Sequence, residues 1–196
     1  MTYDPERHHR RSIRLPGYDY TAPGAYFVTL CVQDGVCALG EIVEGQMMPS
    51  EESRIVEACW ADLPNHYPHV RLDAFVVMPN HVHGIIVLVG EGTVGAGLKP
   101  APTSPYPDAT KPVPTAPNGP PRHGLPEIVR ALKTFSARRI NALRGSPGQP
   151  FWQRNYYEHV IRNERELRAI REYIVHNPLR WELDREHPGR SASSKR

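Results

Sequence analysis

"MPNHVHGIIVL", residues 78–88, places two histidines, His81 and His83, one residue apart at the head of an apolar run. Side chains alternate along a strand, so His81 and His83 share a face, about 6.6–6.8 Å apart. Ile85, Ile86, Val87 and Leu88 then fill both faces, as in a fully buried strand. Just upstream, "HVRLDAFVVMP" (69–79) is a second β-branched run, and Pro79-Asn80 between the two makes a tight turn. These residues read as two neighbouring central strands.

Upstream, "AYFVTLCVQ" (25–33) is a further core strand. Asp34-Gly35 turns the chain toward a small hairpin around Glu44-Gly45. Ser50 caps a helix in which Ile55, Val56, Cys59, Trp60 and Leu63 recur at helical spacing. From Leu125 the helical period returns through Ile128, Val129, Leu132, Phe135, Ile140 and Leu143, and Gly145 ends it. "YYEHVIR" (156–162) is a fourth short core strand. Asn163, with Glu166 three residues on, opens the last helix, and Pro178 stops it. Strand, helix, strand, strand, helix, strand, helix predicts an α+β fold of the ferredoxin-like (RRM-like) type. It is a four-stranded antiparallel sheet with helices on one face, plus a C-terminal helix.

The expected organisation is a basic arm (1–23), one domain (24–183) and a polar, frayed tail (184–196). Nine of the 21 prolines fall between Pro100 and Pro121, so 90–123 is expected to be a flexible or extended loop within the domain. No run of 18 apolar residues exists, which excludes a transmembrane helix. The charged N-terminus lacks an apolar stretch, and Cys31, Cys37 and Cys59 form no metal or disulfide framework; a reduced, cytoplasmic protein is expected.

Charge is uneven. Residues 122–162 carry eight Arg and Lys against Glu127 and Glu158, and Arg7, Arg10, Arg11 and Arg14 form a second cluster. Such clusters suit a polyanion, nucleic acid above all. They also suit the solvated face of an ordinary helix.

His81 and His83 could hold a divalent ion between them, or simply sit exposed on a sheet. No third histidine stands at 85, where a histidine-triad hydrolase would need one, and no H-E-x-x-H motif occurs. A third ligand could come from His159, His176, Asn177, Asp73 or Glu158. Tyr173 and Asn177 are one helical turn apart on one face, so Asn177 at the ion would bring Tyr173 beside it. A tyrosine beside a divalent ion is a candidate nucleophile for a phosphodiester. Tyr156 and Tyr157 are its rivals.

The "HVH" pair, "FWQRNYYEHVIRNERELRAIREYIVHNP" and "RRSIRLPGYDYTAPGAYFVTL" together resemble the REP-associated tyrosine transposases, single-tyrosine members of the HUH endonuclease superfamily. The resemblance runs over residues 10–183 apart from the Pro-rich loop, an insertion the shortest members lack. It implies a metal-dependent single-stranded DNA endonuclease and strand transferase that acts on REP-like hairpins through a 5′-phosphotyrosine. It implies Tyr173 as nucleophile, His81, His83 and Asn177 as ligands to Mg²⁺ or Mn²⁺, and a monomer or homodimer. Candidate DNA contacts are Arg10, Arg11 and Arg14 in the arm, and Arg130, Lys133, Arg138, Arg139 and Arg154 beyond it. Trp152 and Tyr157 are candidates to stack on unpaired bases, and for Trp152 a core role is equally open. Two other readings remain open: a non-catalytic nucleic-acid-binding module of the same fold, and a phosphodiesterase that uses water.

Overall fold

A computed structural model describes residues 17–90, 123–184 and 186–191. In chain order the elements are β1 (Gly24–Cys31), the hairpin β2 (Gly40–Val43) and β3 (Gln46–Pro49), α1 (Glu51–Ala61) and the short α2 (Leu63–His66). Then come β4 (Val70–Met78), β5 (His81–Leu88), α3 (Leu125–Leu143), β6 (Tyr157–Ile161) and α4 (Glu164–His176). A 3-10 turn (Pro178–Leu183) follows. The sheet order β4-β5-β1-β6, all antiparallel, is the ferredoxin-like arrangement.

Local chemistry sets the element ends. Glu44 and Gly45 both have positive φ (52° and 75°), the geometry of a two-residue hairpin turn. Ser50 Oγ accepts from Ser53 N at 3.2 Å at the start of α1. Asn163 Oδ1 accepts from Glu166 N at 2.9 Å at the start of α4. Gly145, with φ 60°, lies just past α3 in the left-handed conformation that ends helices.

Strand alternation divides the core in two. Val28, Leu30, Val82, Ile86 and Leu88 face α1 and α3, meeting Val56, Trp60, Leu132 and Ile140. Phe27, Ile85, Val87 and Ile161 face the other way, toward Leu167, Ile170 and Ile174 of α4. The sheet is therefore covered on both sides, by α1 and α3 on one and by α4 on the other. His81 and His83 share the odd-numbered face of β5 with Ile85 and so lie under α4.

β4 carries a bulge. Leu72 pairs with Ile86 and Phe75 with Gly84, so Asp73 and Ala74 together oppose Ile85. The extra residue inverts the alternation: Val70, Leu72, Phe75 and Val77 pack with α1 and α3, while Ala74 and Val76 pack under α4.

Two expectations are decided here. Of its two readings, Trp152 takes the core one, and its ring is not offered to a ligand. It is 6% exposed, packs in the core, and donates Nε1–H to Ser136 Oγ at 2.9 Å. The chain also does not fray at once after Leu183: Asp184, the first residue of the expected tail, is buried. The arm residues Arg10, Arg11 and Arg14, and residues 91–122 of the Pro-rich loop, lie outside the described residues.

A candidate metal centre beneath a tyrosine helix

Strand β5 delivers His81 and His83 into the space under α4, and neither is exposed as a sheet-surface histidine would be. Their Nε2 atoms are 3.0 Å apart. Asp184 brings Oδ2 to 4.0 Å from His81 Nε2. One ligand atom from each of His81, His83 and Asp184 lies within 4.8 Å of the others, and all three residues are buried.

Neighbours fix how the imidazoles present themselves. Asn80 Nδ2 donates to the carbonyls of Gly35 (3.2 Å) and Glu186 (2.7 Å), which turns its Oδ1 toward His81 Nδ1 at 2.8 Å. An amide oxygen can only accept, so His81 carries its proton on Nδ1 and keeps a free lone pair on Nε2. His83 Nδ1 sits 2.8 Å from Thr29 Oγ1, a hydroxyl able to donate or accept. With Thr29 accepting, both Nε2 lone pairs face the same space.

Burial sets the charge. Desolvation pushes His81 down to about 4, partly opposed by the Asp184 carboxylate. Desolvation, with His81 alongside, holds His83 well below its ordinary value. Two neutral imidazoles are what a metal ligand pair requires.

Helix α4 supplies the remaining groups. Tyr173 Oη lies 3.2 Å from His83 Nε2, and its ring packs edge-on to those of His83 and Phe27. Burial raises the Tyr173 pKa, the Asp184 carboxylate adds to it, and the Asn177 side chain opposes both. Asn177, one turn on, is 2% exposed, and its buried Oδ1 has no hydrogen-bond partner among the described residues. An orphaned buried oxygen costs stability unless something positive meets it. The unpaired Asn177 oxygen and the neutral imidazole pair beside the Asp184 carboxylate therefore fit a divalent cation. Nitrogen and hard-oxygen donors together are compatible with Mn²⁺, Mg²⁺ or Zn²⁺.

The other candidate ligands are engaged elsewhere. His159 Nε2 is 2.6 Å from Glu166 Oε1, and His176 Nδ1 donates to the Glu172 carbonyl at 2.8 Å. Asp73 pairs with Arg171. Glu158 neighbours Val28 in register and so faces α3.

The candidate DNA contacts separate. Arg130, Lys133 and Arg154 line a cleft of about 350 Å³ with Tyr156 on the α3 side of the sheet. Within it Lys133 is already committed, with Nζ donating to the carbonyls of Gln153 (2.6 Å), Arg154 (3.0 Å) and Asn155 (3.3 Å). Arg138 is exposed, and Arg139 donates to Cys59 Sγ at 3.4 Å beside a separate cleft. Tyr157 is 49% exposed on the α4 side, edge-on to Phe27. It is the candidate aromatic that combines exposure with nearness to the histidines.

Sequence reasoning missed Asp184, Asn80 and Thr29. Asn80 stands in the quoted motif, and Thr29 could be found by aligning the strands. Asp184 follows a proline-started turn and carries no periodic signal.

A ferredoxin-like sheet with a buried His-Val-His pair under a tyrosine-bearing helix defines the class of structure. The fold matches that of a REP-associated tyrosine transposase bound to a REP hairpin, with TM-score 0.52 and 17% identity over 83% of this chain and 71% of that one. An uncharacterized protein of Haemophilus influenzae is 36% identical over 184 residues, spanning 93% of this chain and 95% of its own length. The chain belongs to one family with that H. influenzae protein. No family model matches the chain.

Among the described residues, no helix is long and apolar enough to cross a membrane.

Proposed function

We propose that this protein is a divalent-metal-dependent endonuclease and strand transferase for single-stranded DNA at REP-like hairpins, with Tyr173 as nucleophile. The observation that carries this reading is Tyr173 Oη at 3.2 Å from His83 Nε2, within the buried His81–His83–Asp184 group. The fold shared with a hairpin-bound transposase supports it.

His81, His83 and Asp184 would hold the ion, with Asn177 Oδ1 as a further oxygen, and Mg²⁺ or Mn²⁺ is the proposed occupant. When bound, such an ion supplies Lewis-acid polarisation of the scissile phosphate. Tyr173 attacks phosphorus in line with the bond to the 3′ oxygen. The phenolic O–P bond forms, the P–O3′ bond breaks, the phenolic proton is released, and the departing 3′ oxygen takes up a proton. The product is a 5′-phosphotyrosine and a free 3′-OH, and attack by a second 3′-OH reverses the step and joins strands. Phe27 and His83 pack against the Tyr173 ring and limit its rotation, so the phenol is held near one orientation. Arg130 and Arg154 suit phosphate contacts from the far side of edge strand β6, and Tyr157 suits a stacked base on the near side. Arg138 and the arm residues Arg10, Arg11 and Arg14 belong to the same proposal as backbone contacts.

The test is a denaturing gel of the protein with end-labelled single-stranded hairpin, with and without Mn²⁺ or Mg²⁺. The expected result is a slow covalent band holding the DNA 3′ of the cut, absent with EDTA. Cleavage without that band points to water as nucleophile, and binding without cleavage to a non-catalytic module.

A further inference from the structure

Helix α4 rests on the sheet through Leu167, Ile170 and Ile174. Polar contacts also tie it to both edges of the sheet. On β4, Arg171 Nε and Nη2 donate to Asp73 Oδ1 (2.8 Å) and Oδ2 (2.6 Å), a two-point fork. On β6, Glu166 Oε1 sits 2.6 Å from His159 Nε2, while its Oε2 accepts from Arg162 N at 2.7 Å. β4 and β6 are the outermost strands, and Tyr173 stands over the central ones.

The β4 side of this arrangement is built by the bulge. Regular alternation would give one side chain under α4 opposite Ile85; the bulge gives two, Asp73 and Ala74. Ala74 joins the apolar layer and Asp73 meets Arg171. Asp73 Oδ1 also accepts from Ala74 N at 2.7 Å, so the carboxylate is fixed by the bulge before it receives the guanidinium. An extra residue used to re-aim a side chain is a recurrent use of bulges beside functional sites.

We propose that Asp73–Arg171 and His159–Glu166 are a pair of positioning contacts that hold α4 at the register placing Tyr173 Oη at the histidine pair. None of the four touches the site, and each acts through the helix. This rests on the reading of Tyr173 as nucleophile. A displacement of about 1 Å at a reacting group can cost on the order of 100-fold in rate, so contacts remote from the chemistry can govern it.

The test uses the full chain with Asp73→Asn, Glu166→Gln and the double variant, all close in shape to the parent. Asp73→Asn can still accept from Ala74 N, and Glu166→Gln can still accept from Arg162 N. Single-turnover adduct formation on the labelled hairpin is expected to fall about 10-fold in each single variant and about 100-fold in the double. Hairpin affinity is expected to stay within about two-fold, because no substrate contact is removed. Asp73→Glu, which keeps the charge, is expected to restore part of the rate lost in Asp73→Asn. A second readout is the proton NMR contact between the Tyr173 ring and the His83 imidazole, expected to weaken in the double variant. Unchanged adduct rates, or slowed rates with that contact intact, overturn the proposal. A wild-type chain that forms no adduct sinks the nucleophile reading, while the NMR comparison still decides whether the contacts hold the helix.

Discussion

Tyr173 Oη and His83 Nε2 stand 3.2 Å apart, brought together from the last helix and a central strand of the same chain. Both partners of the contact come from one chain. The contact also gives the phenol a neutral partner, because burial keeps His83 deprotonated. Replacing Tyr173 by Phe removes only the hydroxyl. The expected outcome is loss of covalent adduct with hairpin affinity unchanged, read by denaturing and native gels on the same sample. Adduct formation persisting in Tyr173→Phe would move the nucleophile to Tyr156 or Tyr157.

Cation binding should depend on Asp184 as well as on the histidines. In calorimetric titrations with Mn²⁺, His81→Ala and Asp184→Asn are each expected to weaken binding. Asn80→Ala is expected to cost about 10–100-fold, because Asn80 fixes the His81 tautomer without contacting the ion. Asp73→Asn should bind Mn²⁺ as wild type. Equal affinity in Asp184→Asn and wild type would remove Asp184 from the ligand set.

The depressed histidines predict a pH dependence of metal-free stability. Unfolded His81 and His83 titrate near 6.5, whereas folded His81 titrates at about 4 and folded His83 lower than its ordinary value. Between these limits the unfolded chain binds more protons, so stability is full above about pH 6.5 and falls as pH drops toward 4. Each histidine contributes a slope of up to about 1.4 kcal/mol per pH unit in that window. Urea melts from pH 7.5 to 4.5 check this, and His81→Ala should flatten the curve.

Two aromatic substitutions should behave oppositely. Trp152→Phe loses the bond to Ser136 and is expected to cost about 1–3 kcal/mol of stability with hairpin affinity intact. Tyr157→Ala should leave stability nearly unchanged and weaken hairpin binding by roughly 1–3 kcal/mol if its ring stacks on a base. Thermal melts and fluorescence anisotropy separate the two effects.

Gly84 tests the packing on the far side of the sheet. A Cβ there would collide with the Trp60 ring, which is stacked on Phe75. Gly84→Ala is expected to destabilise by about 1–3 kcal/mol, measured by denaturant unfolding.

Most of this architecture is legible in the sequence because its signals are local. Ser50, Asn163 and Gly145 mark helix ends, and the Glu44-Gly45 turn marks the hairpin. The H-x-H spacing gives the shared face, and the i, i+4 spacing places Asn177 beside Tyr173. What was not legible depends on partners distant in sequence. Asp184 reaches His81 from a segment with no period of its own. Trp152 looks available in an aromatic, basic stretch, yet Ser136 on α3 gives its N–H a buried partner. Lys133 reads as a phosphate contact until three carbonyls take its ammonium. The bulge left a trace in the shift of phase from Val70 and Leu72 to Phe75 and Val77, which strict alternation cannot produce.

The most direct measurement is to locate the DNA on the protein. Digesting the covalent adduct with protease and nuclease, then sequencing the modified peptide by mass spectrometry, identifies the attacking residue. The expected result is a nucleotide-phosphate mass on Tyr173 within the peptide that ends at Arg180. A modification on Tyr156 or Tyr157, or cleaved DNA with no modified peptide, would contradict it.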